Sequence, residues 1–367
     1  MIRAQGNTHA ILVAFLAGTL VLAQALPVRA SSAGEGANQA AAETSVLRTW
    51  LAYSAKAGMD LTGFPVDEGK TARELSRLAD RLRPAVAAAK GGPGVVSAFS
   101  RVLLKEEGFR YNAASGNTEN FLAGGVLARK RGNCLGMSLL YLSLAEQLGV
   151  PFHGAYVPGH CFVRYEGEGA RRNVEFSDGG ASWEDELYLR KFRLRERGPY
   201  LRSLSGPEML GVFLKSVGAA YTGKGKHEEA LKIYAEAERL YPGLPDVHYN
   251  AGVSLQRLGR LDEAIAKYRK ALSLDPNMAL ARGNLASAYA SCGDYDNGIS
   301  EFLKVVEADP SSAKGREGLT RAWFAKGDYL AAAREAERAE ALGCRFDPSM
   351  LEVLDPYRER NAPGSFR

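Results

Sequence analysis

The feature that most constrains the fold is a 34-residue period in the C-terminal half of the chain. Small residues recur in this register at Ala230, Ala264, Gly298 and Ala332. A unit of this length, with small residues where two helices approach and large ones where they interdigitate, predicts stacked helix pairs. Other residues in the same register are Tyr221, Leu255, Tyr289 and Trp323; Tyr234, Tyr268 and Phe302; Gly225, Gly259, Gly293 and Gly327; and Pro242, Pro276 and Pro310.

This pattern resembles the tetratricopeptide repeat. It gives four repeats over residues 206–346, and their predicted bounds are 211–244, 245–278, 279–312 and 313–346. The last repeat is degenerate, with Ala336 replacing the aromatic residue and Cys344 replacing proline. Residues 347–367 are predicted to form a capping helix and a tail. The segment Ser205-Gly206-Pro207-Glu208 is typical of a helix start, so the boundary with the preceding domain is predicted there.

Stacked repeats form a concave groove, and polar residues on it indicate what it binds. In this register Asn250 and Asn284 fall at equivalent groove positions, where an amide can hydrogen-bond both the C=O and the N–H of an extended peptide. Arg257, together with Lys215 and Arg321, adds positive charge that suits an acidic segment. We therefore expect a protein or peptide partner. The alternative is that asparagine is simply common at this repeat position and marks no ligand.

Residues 1–30 have the pattern of a secretory signal peptide. Arg3 precedes an apolar run from Ala10 to Val28, and Val28-Arg29-Ala30 is suited to cleavage after Ala30. Residues 31–44 are poor in large apolar side chains and are predicted to be a flexible leader. The protein is therefore expected to be exported to the periplasm or secreted. The alternative is an uncleaved N-terminal membrane anchor, because the apolar run approaches the ~20 residues that span a bilayer.

Residues 45–205 are predicted to form an α+β domain of helices followed by a small antiparallel sheet. Apolar residues recur at helical spacing after Cys134 until Gly149 ends the helix, which places Cys134 at a helix N-terminus. Short strands are predicted over 152–157, 160–165 and 173–176, joined by turns rich in glycine. The predicted fold is therefore an α+β domain followed by an all-α repeat solenoid.

A cysteine at a helix N-terminus followed by a strand histidine has a chemical use. The helix dipole and an imidazolium both favour the thiolate, so Cys134 is the candidate nucleophile and His160 the candidate acid and base. Glu175 is the candidate that orients His160, with Asp178 as the alternative. Backbone N–H groups at the helix start, assisted by Asn133, are candidate donors to an oxyanion.

At these residues the chain resembles the transglutaminase-like superfamily, and in particular its bacterial branch in which tetratricopeptide repeats follow the domain. The resemblance covers about residues 45–195 and implies a papain-like fold with a Cys, His and Asp set. Cys134 and His160 match the family positions, whereas Glu175 stands where the family has aspartate. The matching segments are Leu104-Lys105-Glu106-Glu107-Gly108-Phe109, Asn120-Phe121-Leu122, Arg131-Gly132-Asn133-Cys134, Leu139-Leu140-Tyr141-Leu142, Gly149-Val150-Pro151, Pro158-Gly159-His160 and Gly179-Gly180.

Two functional hypotheses remain open. The first is a thiol enzyme that cleaves or transfers amide acyl groups while the repeats hold a protein or peptide partner. The second is a non-catalytic scaffold, favoured by the departure at Glu175 and by the frequent loss of the cysteine in this branch. A net charge of only +5 gives no argument for nucleic acid binding, and no nucleotide, zinc-protease or serine-hydrolase motif is present. No metal or organic cofactor is predicted.

Overall fold

A computed structural model describes residues 45–63, 65–113, 117–194 and 198–358, and all structural statements refer to these residues. The predicted signal peptide (1–30), the leader (31–44) and the tail beyond residue 358 lie outside them. No helix in the described ranges has both the length and the apolar character needed to cross a bilayer.

The N-terminal half is an α+β arrangement in which helices surround two small sheets. The helices are α1 (Val46–Thr62), α2 (Glu68–Ala87), α3 (Gly91–Ser100), α4 (Ala123–Arg129), α5 (Cys134–Leu148) and α6 (Asp185–Lys191). The strands are β1 (Arg110–Tyr111), β2 (Arg131–Gly132), β3 (Phe152–Val157), β4 (His160–Gly167) and β5 (Ala170–Val174). A π-helical segment (Arg101–Glu106) extends α3, and short 3₁₀ turns span Thr118–Asn120 and Phe176–Asp178.

The main sheet has the order β3-β4-β5 with antiparallel pairing throughout, and β1 pairs with β2 in parallel. The turn between β3 and β4 places Val157 opposite His160, and Gly159 adopts the positive φ of 78° that this tight turn requires. Strand β5 ends at Val174, earlier than predicted. The reason is local, because the Glu175 carboxylate accepts the Ser177 N–H and starts a 3₁₀ turn.

The C-terminal half consists of helix pairs in sequence order, which confirms the predicted fold class. In each of the four repeats a glycine in the left-handed region follows the first helix, as Gly225 (φ 75°), Gly259 (φ 75°), Gly293 (φ 82°) and Gly327 (φ 88°) show. This conformation explains why glycine keeps the 34-residue register. The helices are α7 (Gly206–Gly223), α8 (His227–Leu240), α9 (Pro245–Arg257), α10 (Leu261–Leu274), α11 (Ala279–Ser291), α12 (Tyr295–Ala308), α13 (Ala313–Lys326), α14 (Tyr329–Ala341) and α15 (Pro348–Arg358).

Helix α7 starts the repeats but shares its core with the N-terminal half. A capping box at Ser205 and Glu208 starts the helix where the sequence predicts a boundary. However, one face of α7 is fully buried in a core that extends from α1 to α9. The Phe213 ring lies 6.2 Å from that of Phe121, and the Tyr221 hydroxyl donates to Asp60 at 2.5 Å. The first repeat is therefore part of the packing of both halves.

Gly136 in the first turn of α5 provides a stability test, because a Cβ there would lie 2.2 Å from the Asn120 carbonyl oxygen. We expect Gly136→Ala to lower the free energy of unfolding by about 1–3 kcal/mol, since backbone must move. The control is Gly283→Ala in α11, where a Cβ meets nothing within 4 Å. That change should raise stability by about 0.5–1 kcal/mol through helix propensity. Urea denaturation measures both, and effects of equal sign would contradict the packing described.

Candidate functional site

Cys134 is the first residue of α5, where the local sequence holds it against the helix N-terminus. Asn133 caps the helix, and its Oδ1 accepts the Gly136 N–H at 3.0 Å. The first N–H groups of a helix lack acceptors within the helix, and the dipole there favours negative charge. The partly buried Cys134 thiol therefore lies where a thiolate is stabilised.

His160 begins β4, and its ring is fixed by a buried carboxylate. The Nε2 atom of His160 lies 2.8 Å from Oε2 of Glu175, whose side chain is 0% exposed. Glu175 also accepts the Ser177 N–H at 2.9 Å, the Ser177 hydroxyl at 2.6 Å and the Tyr188 hydroxyl at 3.0 Å. Asp178 is exposed and accepts the Trp183 indole N–H at 2.9 Å. The structure thus brings Glu175, and not the alternative Asp178, to His160.

The ionisation of these groups is coupled. Burial acts to lower the pKa of His160, but hydrogen bonds and charges from Cys134 and Glu175 outweigh it and raise this pKa to about 9. A hydrogen bond from Cys161 and another from His160 hold the pKa of Cys134 well below its ordinary value, against the effect of burial. Since Nε2 faces Glu175, the Nδ1 atom of His160 remains for the thiol. The raised pKa of His160 and the lowered pKa of Cys134 favour a thiolate–imidazolium pair.

Cys161 is the site residue that sequence reasoning missed. The strand pattern indicates a core residue facing away from His160, and its side chain is indeed only 2% exposed. Cys161 nevertheless acts to lower the pKa of Cys134, and its sulfur accepts from the Ser138 hydroxyl at 3.9 Å. Burial first, and then the neighbouring Cys134, raise the pKa of Cys161, so this thiol remains protonated and donates. Its place next to His160 in the sequence gave no signal of this role.

The donor role of Cys161 predicts a difference between two substitutions. We expect Cys161→Ala to slow alkylation of Cys134 by iodoacetamide about 3- to 30-fold at about pH 6, because the thiolate loses a hydrogen-bond donor. Cys161→Ser retains a donor and should stay within about threefold of the parent rate. Peptide mass spectrometry gives the rates. Equal slowing by both substitutions would show that volume, rather than hydrogen bonding, matters at this position.

A cavity of about 630 Å³ connects this site with the first two repeats. Asn133, Cys134 and His160 line it from the N-terminal half, and Asn250 lines it from α9. The other two groove predictions are placed elsewhere. Asn284 is a half-buried residue of α11, and Arg257 is exposed at the end of α9; neither belongs to the lining of this cavity.

Comparison with known families agrees with this division of the chain. Residues 69–198 match the model of the transglutaminase-like superfamily, and residues 249–313 and 284–349 match a model of the tetratricopeptide repeat. The chain therefore carries a transglutaminase-like domain followed by tetratricopeptide repeats. None of the curated proteins compared with it gives a match.

Solved structures are similar to part of the chain. They include MamA 41-end from Desulfovibrio magneticus RS-1, with 21% identity, a TM-score of 0.37, and coverage of 41% of this chain and 88% of that one. The TPR protein YrrB has 20% identity and a TM-score of 0.36, and the match covers 46% of this chain and 88% of YrrB. The second TPR domain of human RPAP3 has 19% identity and a TM-score of 0.31, and the match covers 32% of this chain and 97% of that domain.

Proposed function

We propose that the protein is a thiol enzyme that cleaves or transfers an amide acyl group of a peptide held between its transglutaminase-like domain and its first repeats. The observation that carries this proposal is the arrangement of Cys134 at a helix start, next to His160, which is hydrogen-bonded to the buried Glu175. Such an arrangement supplies a nucleophile and a base that line one cavity, and a group that orients the base. It opens into a cavity large enough for several residues of an extended peptide.

The roles follow from the contacts. The Cys134 thiolate attacks the amide carbonyl, and the His160 imidazolium gives its proton to the departing amine. The acyl group then remains bound to the Cys134 sulfur as a thioester. Water or a second amine attacks this thioester with His160 acting as base, which releases the Cys134 thiolate. Glu175 keeps the ring oriented and stabilises its charge. The Cys134 N–H and the Asn133 side-chain amide, whose oxygen is used by the cap, supply donors for the oxyanion.

Trapping of the thioester tests this function. The protein is incubated with a mixed-sequence library of extended peptides, quenched in acid and analysed by mass spectrometry. The proposal predicts acyl adducts on Cys134 that hydroxylamine removes and that are absent from Cys134→Ser. Alkylation of Cys134 run in parallel shows whether the thiol is accessible. An accessible Cys134 that forms no adduct with any peptide would overturn the enzymatic proposal.

The second candidate is a scaffold in which the repeats mediate protein–protein interaction. It is favoured by the helices from α11 onward, which among the described residues do not line the cavity and so offer a surface separate from the thiol site. The repeats themselves fit a protein or peptide partner. In this case Cys134→Ser and His160→Ala would leave the partner's affinity and the protein's function unchanged.

We also infer export from the sequence of residues 1–30. Fusion of residues 1–45 to a reporter that is active only outside the cytoplasm tests this, and retention in the cytoplasm would contradict it. An exported product that keeps residues 1–30 would establish the anchor instead of the cleaved signal.

A further inference from the structure

Helix α7 forms the wall of the cavity opposite the thiol site. Val212, Lys215 and Ser216 line it, followed one turn later by Ala219, Ala220 and Gly223. Apart from Lys215 these side chains are short, so a peptide backbone has room to approach this face of the helix. The helix therefore contributes little steric bulk and one long cationic side chain, Lys215, while the exposed Lys224 directly after the helix adds a second lysine at the rim of the lining.

Lys215 is held inside the cavity by an aromatic ring. Its Nζ lies 5.0 Å from the centroid of the Tyr156 ring and donates to the Tyr156 hydroxyl at 3.5 Å. In the part of the chain that the structure describes, no ion pair includes Lys215. Because the Tyr156 ring is rigid and buried, it holds the lysine stem in place, and the ammonium remains available to an anion.

The charge of Lys215 acts on the Cys161 thiol. Burial and Cys134 raise the pKa of the Cys161 thiol, and the Lys215 charge opposes this rise. Because Lys215 and Cys134 line the same cavity, the ammonium can attract an anionic group that approaches the thiol.

The same cavity offers partners for a peptide backbone. Asn250 carries both a donor and an acceptor, and one carboxylate oxygen of Asp246, Oδ2, is buried with no hydrogen-bond partner among the described residues. A buried acceptor without a donor costs free energy, which an incoming N–H group removes. Both residues lie on α9, beside the wall that carries Lys215.

We propose that the cavity selects an extended peptide with an acidic residue next to the scissile amide, whose carboxylate binds Lys215 while its backbone pairs with Asn250 and Asp246. This specificity rests on the proposed function, since it names the substrate class of the same thiol site. The first repeat then determines which substrate reaches Cys134.

Two alkylating reagents of similar size test the anion site. Iodoacetate carries a carboxylate and iodoacetamide does not, so the ratio of their rates at Cys134 cancels changes in thiolate reactivity. We expect Lys215→Met to lower this ratio about three- to tenfold and Lys215→Arg to preserve it. Lys232→Met, an equal charge change at an exposed residue of α8 outside the cavity lining, is the control and should leave the ratio within about twofold.

The rates are measured at about pH 6 and again at about pH 9, where an ordinary thiol is ionised and lysine is still charged. Slow alkylation at the lower pH by both reagents would count against the activated thiol of the proposed function, while the ratio at the higher pH still tests Lys215. A ratio that Lys215→Met leaves unchanged would overturn the anion site. Protection of Cys134 by peptides containing Glu, but not by matched Gln peptides, is expected in the parent and lost in Lys215→Met.

Discussion

His160→Ala is expected to slow alkylation of Cys134 by iodoacetamide about 10- to 100-fold at about pH 6. An isolated thiol of pKa ~8.5 is almost entirely protonated there, and loss of the imidazolium removes one of the two groups that lower the pKa of Cys134. At high pH any accessible thiol is ionised, so the rates of the two proteins should converge. Mass spectrometry of the Cys134 peptide across the pH range gives the profile.

Substitutions of Glu175 and Asp178 test which carboxylate orients His160. Glu175→Gln keeps the shape of the side chain but removes its charge, and it should slow alkylation at about pH 6 by a smaller factor, about 3- to 10-fold. Asp178→Asn should change the rate less than twofold, because Asp178 is exposed and bonds Trp183. A larger effect of Asp178→Asn than of Glu175→Gln would assign the orienting role to Asp178. If His160→Ala left the alkylation rate of Cys134 at about pH 6 unchanged, His160 would not activate the thiol and the two residues would have only a structural role.

Separation of the repeats from the N-terminal half is expected to unfold α7. Met209, Leu210, Phe213 and Leu214 are each 0% exposed, and burial of one such side chain contributes about 1.5–3 kcal/mol. A fragment from Ser205 to Arg367 loses part of the surface that covers them. In hydrogen exchange we expect amides of α7 to exchange rapidly in the fragment and slowly in the full chain. Helices α9 to α14 should stay protected in both, since repeats are stabilised mainly by their neighbours.

The full chain is the reference for this experiment, and a second fragment supplies its control. A fragment that begins at Pro245 lacks α7 altogether, so it should expose less apolar surface and bind less hydrophobic dye than the fragment from Ser205. Equal protection of α7 in the fragment and in the full chain would show that the first repeat does not depend on the N-terminal half.

The fold class followed from the sequence because its signals are local and repeated. The 34-residue register includes the left-handed glycines that follow each first helix, and these need no distant contact to be recognised. The helix start at Cys134 was likewise visible, since Asn133 is a favourable cap and Gly149 a favourable end.

The site depends on contacts that no local pattern encodes. Glu175 leaves the strand pattern because it binds Ser177, so its direction toward His160 comes from a turn rather than from strand alternation. The effect of Cys161 in β4 on the pKa of Cys134 in α5 depends on the packing of the strand against the helix. The cavity with Lys215 arises only when α7 packs on the N-terminal half, and this docking was not apparent from a repeat register that treats each unit alike.

The pKa shifts of His160 and Cys134 determine how the stability contributed by their charges depends on pH. The pKa of His160 is raised to about 9, so the stability that its charge contributes is complete below its unfolded pKa of ~6.5 and is lost as pH rises through about 9. The pKa of Cys134 is lowered, so the contribution of the thiolate is complete above ~8.5 and is lost as pH falls through its lowered pKa. Between the lowered pKa of Cys134 and the raised pKa of His160, both charges are present in the folded protein.

The thiolate–imidazolium pair is tested most directly by the ultraviolet absorbance of the Cys134 thiolate, taken as the difference between the parent protein and Cys134→Ser during a pH titration. We expect this absorbance to be present already at about pH 6 and His160→Ala to shift its appearance toward higher pH. A thiolate signal that appears only near pH ~8.5, in the parent and in His160→Ala alike, would contradict the thiolate–imidazolium pair.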